Sequence, residues 1–510
     1  MNALDKVICA IAPRTGLKRE AARRALNVMN SGYGEYGASE RKKAMRGFFA
    51  EGGSAKEDID KNVDILRRRS RELYSGGSSI ATGAIKTMRT NVIGRGLVLN
   101  PKIDAAKLGI SEEKASEIET KIAREFALWA ETTACDIERK NTFSELQQLA
   151  FINWLLSGDL LVLFRTTERP KMPYDLRIQL VEADRISTPD DKAFEKNITE
   201  GIETNENGEV KAYWVRNNHP YSDNEDETKW VKIEAYGKTT GRPNALHIMN
   251  DERVGQKRGL PFLSPVIADL KQIGRYTDAE LDAAVIAAYF TTFIEKEENR
   301  GEPFPPGEAI HEAAKIEPED DTTIELGPGL IYDLAAGEHV KTVQPGRPNT
   351  AFGEFTNQMA KHIGAALEMP PEVLFKSFTA SYSASKGALS EAWKMFRMYR
   401  QWLINDFCQP IYEEWLCEAV SKGRIAAPGF FQDEAIRKAY SGAEWNGPAQ
   451  GMLDPVKEAN AATIRIKSGI STREREAMEI NGSSFKENVK KLESENKALY
   501  KAFEFMEGDD

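Results

Sequence analysis

Residues 370–387 read PPEVLFKSFTASYSASKG, and the fold turns on what flanks them. Upstream, from Asn349, an amphipathic pattern predicts a helix from about Ala351 to Glu368. Downstream, apolar residues recur at Leu389, Trp393, Phe396, Leu403, Phe407, Ile411 and Trp415, in a segment that runs to Glu418. Steps of three, four and seven place them on one face of a 3.6-residue period, the mark of a long helix. Pro410 falls inside that pattern, where it removes an amide donor and crowds the preceding turn, so a kink is expected there. A loop of short hydroxyl side chains held between two helices, with no catalytic residue in it, points to a contact surface rather than an active site.

Working outward, the chain alternates between helical and strand periodicities. Residues 1–60 are basic and broken by Gly-rich patches (Ser31–Gly34, Glu51–Ser54), with one expected helix from Leu17 to Met29. Helical patterns then run from Asp60 to Trp154, interrupted at Gly76-Gly77 and Gly94–Gly96, and Ser111 starts a helix reaching about Glu131. From Leu160 to Met249 the pattern becomes short strands (LLVLFRTT, LRIQLVEA, AYWVRN, ALHIMN) with turn signals at Arg169-Pro170, Asn205–Gly208 and Gly241–Asn244. Thr277 and Glu280 read as a capping box for a helix from Thr277 to Lys296. Its Ala283, Ala284, Ala287 and Ala288 would let neighbours approach on more than one face. Residues 297–349 are rich in Pro, Gly and acidic residues, with strand candidates TIELG and LIYDL. They read as a small module whose ends the flanking helices bring together. The C-terminus carries a heptad register, Val489, Asn496 and Phe503 at a with Leu492, Leu499 and Met506 at d, a short seam lacking a partner in its own segment.

The 510 residues suffice for several cores, and 41% hydrophobic with 29% charged residues suits a folded, water-exposed protein. No apolar run approaches the ~20 residues that span a bilayer, and no signal peptide is expected from the N-terminal residues. Cys9, Cys135, Cys408 and Cys417 form no CxxC pair, which fits free thiols in a reducing cytoplasm. A net charge of −10 argues against a protein that wraps duplex DNA in a basic surface. The distribution is uneven: residues 1–71 hold 16 Lys and Arg against 9 Asp and Glu, whereas residues 297–349 hold 4 against 12.

Enzyme signatures are missing: no GxxxxGK[ST], HExxH, GxSxG or strand-borne GxGxxG occurs. His219, His247, His311, His339 and His362 are scattered, so neither a metal site nor a cofactor is expected. Gly94-Arg95-Gly96 reads as a helix terminator rather than a phosphate cradle, and Glu317, Asp320 and Asp321 as a solvated acidic face rather than a metal cluster. The run Arg67-Arg68-Arg69-Ser70-Arg71 could meet phosphate, but a helix face satisfied by acidic neighbours is the favoured reading. Phe378 and Tyr382 have two readings in balance, anchoring their loop or touching DNA. Trp393, Trp402 and Trp415 are expected in the core or at subunit interfaces.

Five motifs in order resemble the lambda-like portal proteins of tailed bacteriophages. They are Gly255-Gln256-Lys257-Arg258-Gly259-Leu260-Pro261, running on to Val266 and a following helix; Met369-Pro370-Pro371; and Tyr382-Ser383-Ala384-Ser385-Lys386-Gly387-Ala388-Leu389 with Glu391 and Trp393. The C-terminal pair is Leu453-Asp454-Pro455 with Lys457 and Glu458, then Gly469-Ile470-Ser471-Thr472. The likeness covers roughly residues 60–490; Tyr74–Gly77 departs from the family's usual Arg-Asn-Asn-Pro. It implies a mainly α fold with a β-rich body (α+β), divided into wing, stem, clip and crown. The basic segment would be 1–60, the wing 61–260, the stem helices 261–296 and 350–370, and the clip 297–349. A tunnel loop would occupy 371–386, a kinked wing helix 387–427 and a helical crown 428–510. The resemblance further implies a non-enzymatic ring, by resemblance a dodecamer, at one capsid vertex of the virion and assembled in the host cytoplasm. Double-stranded DNA would pass through it. Its partners would be the terminase large subunit, head-completion or adaptor proteins, and the major capsid and scaffold proteins, with no membrane. Within it, Lys376, Ser377, Phe378, Thr379, Ser381, Tyr382, Ser383, Ser385 and Lys386 would face DNA. Glu317, Glu319, Asp320 and Asp321 would dock the motor, and Leu492, Asn496 and Leu499 would join subunits. Two other classes stay open at this point: a packaging-associated nuclease, and a capsid scaffold or adaptor that never touches DNA.

Overall fold

The computed structural model describes residues 52–222, 227–289, 293–296, 338–341, 352–379, 381–450, 455–482 and 485–507, besides Thr15 and Lys18. The chain divides into two compact units, Met1–Ser54 and Ala55–Asp510. The expected helix from Leu17 to Met29 lies in the first unit and outside the described residues, apart from Lys18. The architecture that follows is that of the second.

Its centre is strand β2 (Asp159–Thr166), paired antiparallel with β3 (Leu176–Glu182) on one side and β8 (Ala245–Met249) on the other. Successive side chains of a strand point to opposite faces, and here both faces are covered. Leu160 and Val162 enter the main core, while Leu161 and Leu163 join Val181, Ile202, Tyr213, Val215 and Ala245 in a smaller second core. That second core lies under a four-stranded antiparallel sheet of β4 (Ile198–Thr199), β5 (Ile202–Thr204), β6 (Val210–Arg216) and β7 (Trp230–Glu234). The expected β-rich body is therefore present, and β4, β5 and β7 add to the strands read from the sequence. The run WVKIE of β7 is largely exposed, so its alternation carried little apolar signal.

Helices α1 (Val63–Glu72), α2 (Ser79–Val92), α3 (Glu112–Ala130) and α4 (Phe143–Ser157) cover the main core. Ser111 caps α3, and Thr142 with Glu145 forms a capping box on α4. A short strand β1 (Val98–Pro101) follows Gly94–Gly96 and pairs with β11 (Ala443–Asn446) near the chain's other end, a pairing with no local sequence signal.

The long downstream helix runs as α7 (Tyr382–Leu403), a π-helical turn (Ile404–Cys408) and α8 (Gln409–Ser421). Pro410 cannot donate to the carbonyl four residues back, at Asp406, and its ring would collide with it. The chain takes up one extra residue, so that Gln409 N–H reaches Ile404 O instead. The break expected at Pro410 thus takes the form of a π-turn just before it. The predicted face is buried from Trp393 through Phe396, Leu403, Phe407 and Ile411 to Trp415. It meets Phe126, Trp129, Phe143 and Trp445 in an aromatic cluster, with the Phe143 and Phe407 rings stacked at 5.8 Å.

One expectation fails clearly. Helix α5 spans Ile267–Tyr289, entered through a 3-10 turn at Ser264–Val266. Thr277 sits mid-helix and bonds back to Ile273 O, so Thr277 and Glu280 are no capping box. The chain is a strand, β9, at Phe293–Lys296 rather than more helix. β9 pairs antiparallel with β10 (Glu338–Lys341), which brings together the two ends of the acidic module before α6 (Phe352–Ala366). Tyr276 of α5 packs on Phe352 and Phe355 of α6, its ring 4.8 Å from that of Phe355. The strand candidates TIELG and LIYDL lie outside the described residues. The C-terminal region forms α9 (Glu434–Tyr440), α10 (Pro455–Lys467), α11 (Arg473–Asn481) and α12 (Phe485–Glu507). Among the described residues no helix is long and apolar enough to cross a membrane.

Candidate nucleic-acid interface and the joint that carries it

The Gly255–Gly259 segment closes a buried charge node at the root of α5. Asp159, fully buried at the start of β2, accepts from Arg258 Nε at 2.6 Å, Arg67 Nη2 at 2.9 Å and Gly259 N at 3.2 Å. His247 Nε2 of β8 lies 3.2 Å from the same carboxylate. Burial pushes the Asp159 carboxyl up, but the Arg258 and Arg67 guanidiniums outweigh it and hold the group well below the usual carboxylate range. Arg258 spends its other donors on the Ala183, Ile186 and Glu200 carbonyls. Gln256 accepts from Glu252 and Arg253 amides and donates to Arg258 O, fixing the turn. Gly259 passes so close to Gly158 that a Cβ there would sit 1.9 Å from the Gly158 carbonyl. Helix α1, strands β2 and β8, and the entry to α5 are thereby tied together. The favoured reading of the arginine run holds: Arg67 serves Asp159 and Arg71 makes a paired contact at 2.7 Å with Asp184.

The hydroxyl-rich segment is shorter as a loop than the sequence suggested. After α6, Gly364 lets the Met369 carbonyl close in, and a helical turn at Pro371–Leu374 buries Val373 and Leu374. Lys376 then takes a left-handed conformation (φ 55°) and Ser377 N–H returns to Glu372 O. Residues 375–381 form the loop, with Ala380 outside the described residues, and α7 has begun at Tyr382. Ser381 Oγ leaves the α7 amides uncapped and lies 3.3 Å from Ser383 Oγ.

Lys376, Ser377, Phe378, Thr379, Ser381, Tyr382 and Ser383 are all exposed, with Phe378 48% and Tyr382 50% accessible. Phe378 and Lys376 also border a cavity of about 250 Å³ shared with Trp393, Phe396, Leu389 and α2 residues Thr87, Thr90 and Asn91. Phe378 therefore joins both readings, leaning on its own helices while half open; Tyr382 does not border the cavity. Ser385 is buried (8%), and Lys386 sits 3.5 Å from Glu458 of α10. Ser385 is thus unlike the rest, whereas Lys386 is exposed as they are but faces a carboxylate. Arg400 fixes α7 behind the loop by donating to the Asn91, Val92 and Pro448 carbonyls, its pKa lowered to about 10 by burial and by Arg397.

Glu317, Glu319, Asp320 and Asp321 lie outside the described residues. Leu492, Asn496 and Leu499 lie on α12, where every position from Val489 to Tyr500 is exposed. Cys135, Cys408 and Cys417 are buried and free. No grouping of His, Cys, Asp and Glu fit for a metal occurs among the described residues. The sequence reading missed the Asp159 node, since Asp159 stands alone in an apolar strand run; its one signal was a buried-strand pattern opening on an acid.

Comparison with known proteins gives a consistent answer. The family described as phage portal protein, lambda family, matches residues 41–400. The portal protein B of Escherichia phage lambda is 23% identical over 415 residues, covering 78% of this chain and 77% of the relative. The portal protein of Escherichia phage N15 is 23% identical over 451 residues, covering 85% and 84%. A probable portal protein of Halomonas phage phiHAP-1 is 25% identical over 429 residues, covering 82% and 77%. Among solved structures, a chain in the virion of a native gene transfer agent particle aligns at a TM-score of 0.45 with 14% identity, over 82% of this chain and 92% of that one.

Proposed function

This chain belongs to the lambda family of phage portal proteins, and from that premise we propose which of its residues do the work. As a portal it is the head–tail connector subunit, forming with its copies a ring channel at one capsid vertex for DNA packaging and ejection. The nuclease and scaffold alternatives give way to that family membership.

In our reading the loop from Lys376 to Ser383 lines the channel and meets the DNA backbone. The observation that carries this is a composition at an exposed place. Between Glu372 and Glu391 the chain has two lysines and no carboxylate, in a protein of net charge −10. Short hydroxyls exchange hydrogen bonds between phosphate and water at a net ~1 kcal/mol or less each. A ring of such loops would centre and restrain DNA without gripping a sequence. Ser385 and Lys386 are left out of the contact set, the first for its burial and the second for its place beside Glu458.

The joint at Asp159 would hold the root of α5 against the wing while load passes through the loops. The acidic stretch around Glu317–Asp321 would dock the terminase large subunit and later the head-completion proteins through charge. Leu492, Asn496 and Leu499 would meet neighbouring subunits, twelve in the ring by our expectation. The test is crosslinking: Thr379→Cys, carrying a photo-crosslinker, should label DNA in particles stalled during packaging. Labelling no stronger than from Phe194→Cys, a position 99% exposed on the β-rich body, would overturn the reading.

A further inference from the structure

Away from the node and the loop, a second group of arginines holds buried N–H groups that no hydrogen-bond partner among the described residues satisfies. Arg177 of β3 is fully buried. Among the described residues its only hydrogen bond runs from Nη1 to the carbonyl of its own neighbour, Leu176, at 2.7 Å. Its Nε and Nη2 have no partner, and neither does the buried Nε of Arg169. Arg169 is itself locked in place by the Ala134, Asp136 and Ile137 carbonyls at 2.8–2.9 Å. Arg165 faces Arg177 directly across the β2–β3 ladder and donates its Nε to Gln179 Oε1 at 2.8 Å; like charges directly opposite cost stability when nothing lies between.

The nearby carboxylates are engaged elsewhere. Asp136 accepts from the Glu138, Lys140 and Asn141 amides. Glu418 accepts from the Asp175 and Leu176 amides, and Lys422 bridges Asp175 and Glu418. Burial first and Arg169 second depress the Arg177 pKa, and the charges of Glu418 and Asp175 offset this only in part. An isolated buried guanidinium is costly unless paired. Water could accept these N–H groups, yet it would leave the charge standing.

We propose that Arg177, Arg169 and Arg165 form a receptor for one small inorganic oxyanion, phosphate or sulfate. The oxyanion accepts the unpaired N–H groups of Arg177 and Arg169. Arg165, exposed at the end of the strand, is the gate-side charge. The burial of Arg177 keeps the phosphates of a nucleic acid out, so the site is separate from the DNA-facing loop. It stabilises the β2–β3 end of the wing in whichever compartment supplies the anion.

The experiment titrates sodium phosphate, and separately sodium sulfate, into desalted full-length protein at constant ionic strength. Calorimetry should find one site per chain. At an anion concentration ten times Kd the folding equilibrium constant should rise about elevenfold. Arg177→Met should abolish saturable binding while folding at least as well in anion-free buffer, because it removes an unpaired charge. Should that variant fail to fold, the exposed Arg165→Gln should weaken binding severalfold. Wild-type protein that takes up neither anion overturns the site, as does unchanged affinity in Arg177→Met or Arg165→Gln.

Discussion

Gln256–Gly259 and Lys376–Ser383 lie in or beside motifs of the portal likeness, yet one is a buried mesh of charge-assisted hydrogen bonds and the other an exposed run with few among the described residues. Arg258 alone makes bonds to Asp159, Ala183, Ile186 and Glu200. The loop, by contrast, holds itself with Ser377 N–H to Glu372 O and a hydroxyl pair at Ser381 and Ser383. In the first, side chains fix where elements meet; in the second, side chains are left available. Changes in the two should therefore separate stability from DNA handling.

The largest effect is expected at the joint. Asp159→Ala would remove the buried carboxylate that Arg67 and Arg258 share, leaving Arg67 only its longer carboxylate contact, to Asp64 at 3.5 Å, and should cost about 3–5 kcal/mol in denaturant unfolding. A loss under 1 kcal/mol would mean the node does not organise the fold.

Acid should reveal the same joint. The folded-state pKa of Asp159 is depressed, so its contribution is complete above its unfolded value of about 4 and is lost as pH falls below it. Burial raises Asp60 and Glu200 instead, so what they contribute is complete below their unfolded values and is lost as pH rises through their folded ones. Wild type minus Asp159→Asn should therefore shrink below about pH 4, and wild type minus Glu200→Gln should fall as pH rises above about 4. Parallel curves for all three proteins would contradict these assignments.

A smaller effect is expected on assembly. Leu492→Lys with Leu499→Lys places charge on a helix exposed from Val489 to Tyr500 and should lower the ring population severalfold at fixed concentration, read by mass photometry. Rings of unchanged abundance and thermal stability would dismiss α12 as a subunit seam. Smallest of all, Lys376→Glu should reduce packaged DNA a fewfold and leave unfolding unchanged, because the side chain is exposed.

What could be read from the sequence divides along the same line as the two regions. Periodicity gave the buried face from Trp393 to Trp415, and Pro410 gave the place of the break, because each depends on neighbours along the chain. The four main strands followed from short strand-like runs set between turn signals. The joint did not follow, since Asp159, Arg67 and Arg258 are separated by 92 to 191 positions and only the fold brings them together. The same reason hid the β1–β11 pairing. Thr277 misled because a capping box and a mid-helix threonine look alike until the preceding turn is known to be helical. For the candidate site, residue type marked out the loop, whereas the burial of Ser385 and the approach of Lys386 to Glu458 needed the third dimension.

Deleting residues 377–383 tests most directly that the loop, and not the joint, handles DNA, with rings and procapsids counted by electron microscopy and packaged genome by nuclease protection. The expected result is normal rings and procapsids with few or no DNA-filled particles. Normal yields of full, stable particles would contradict it.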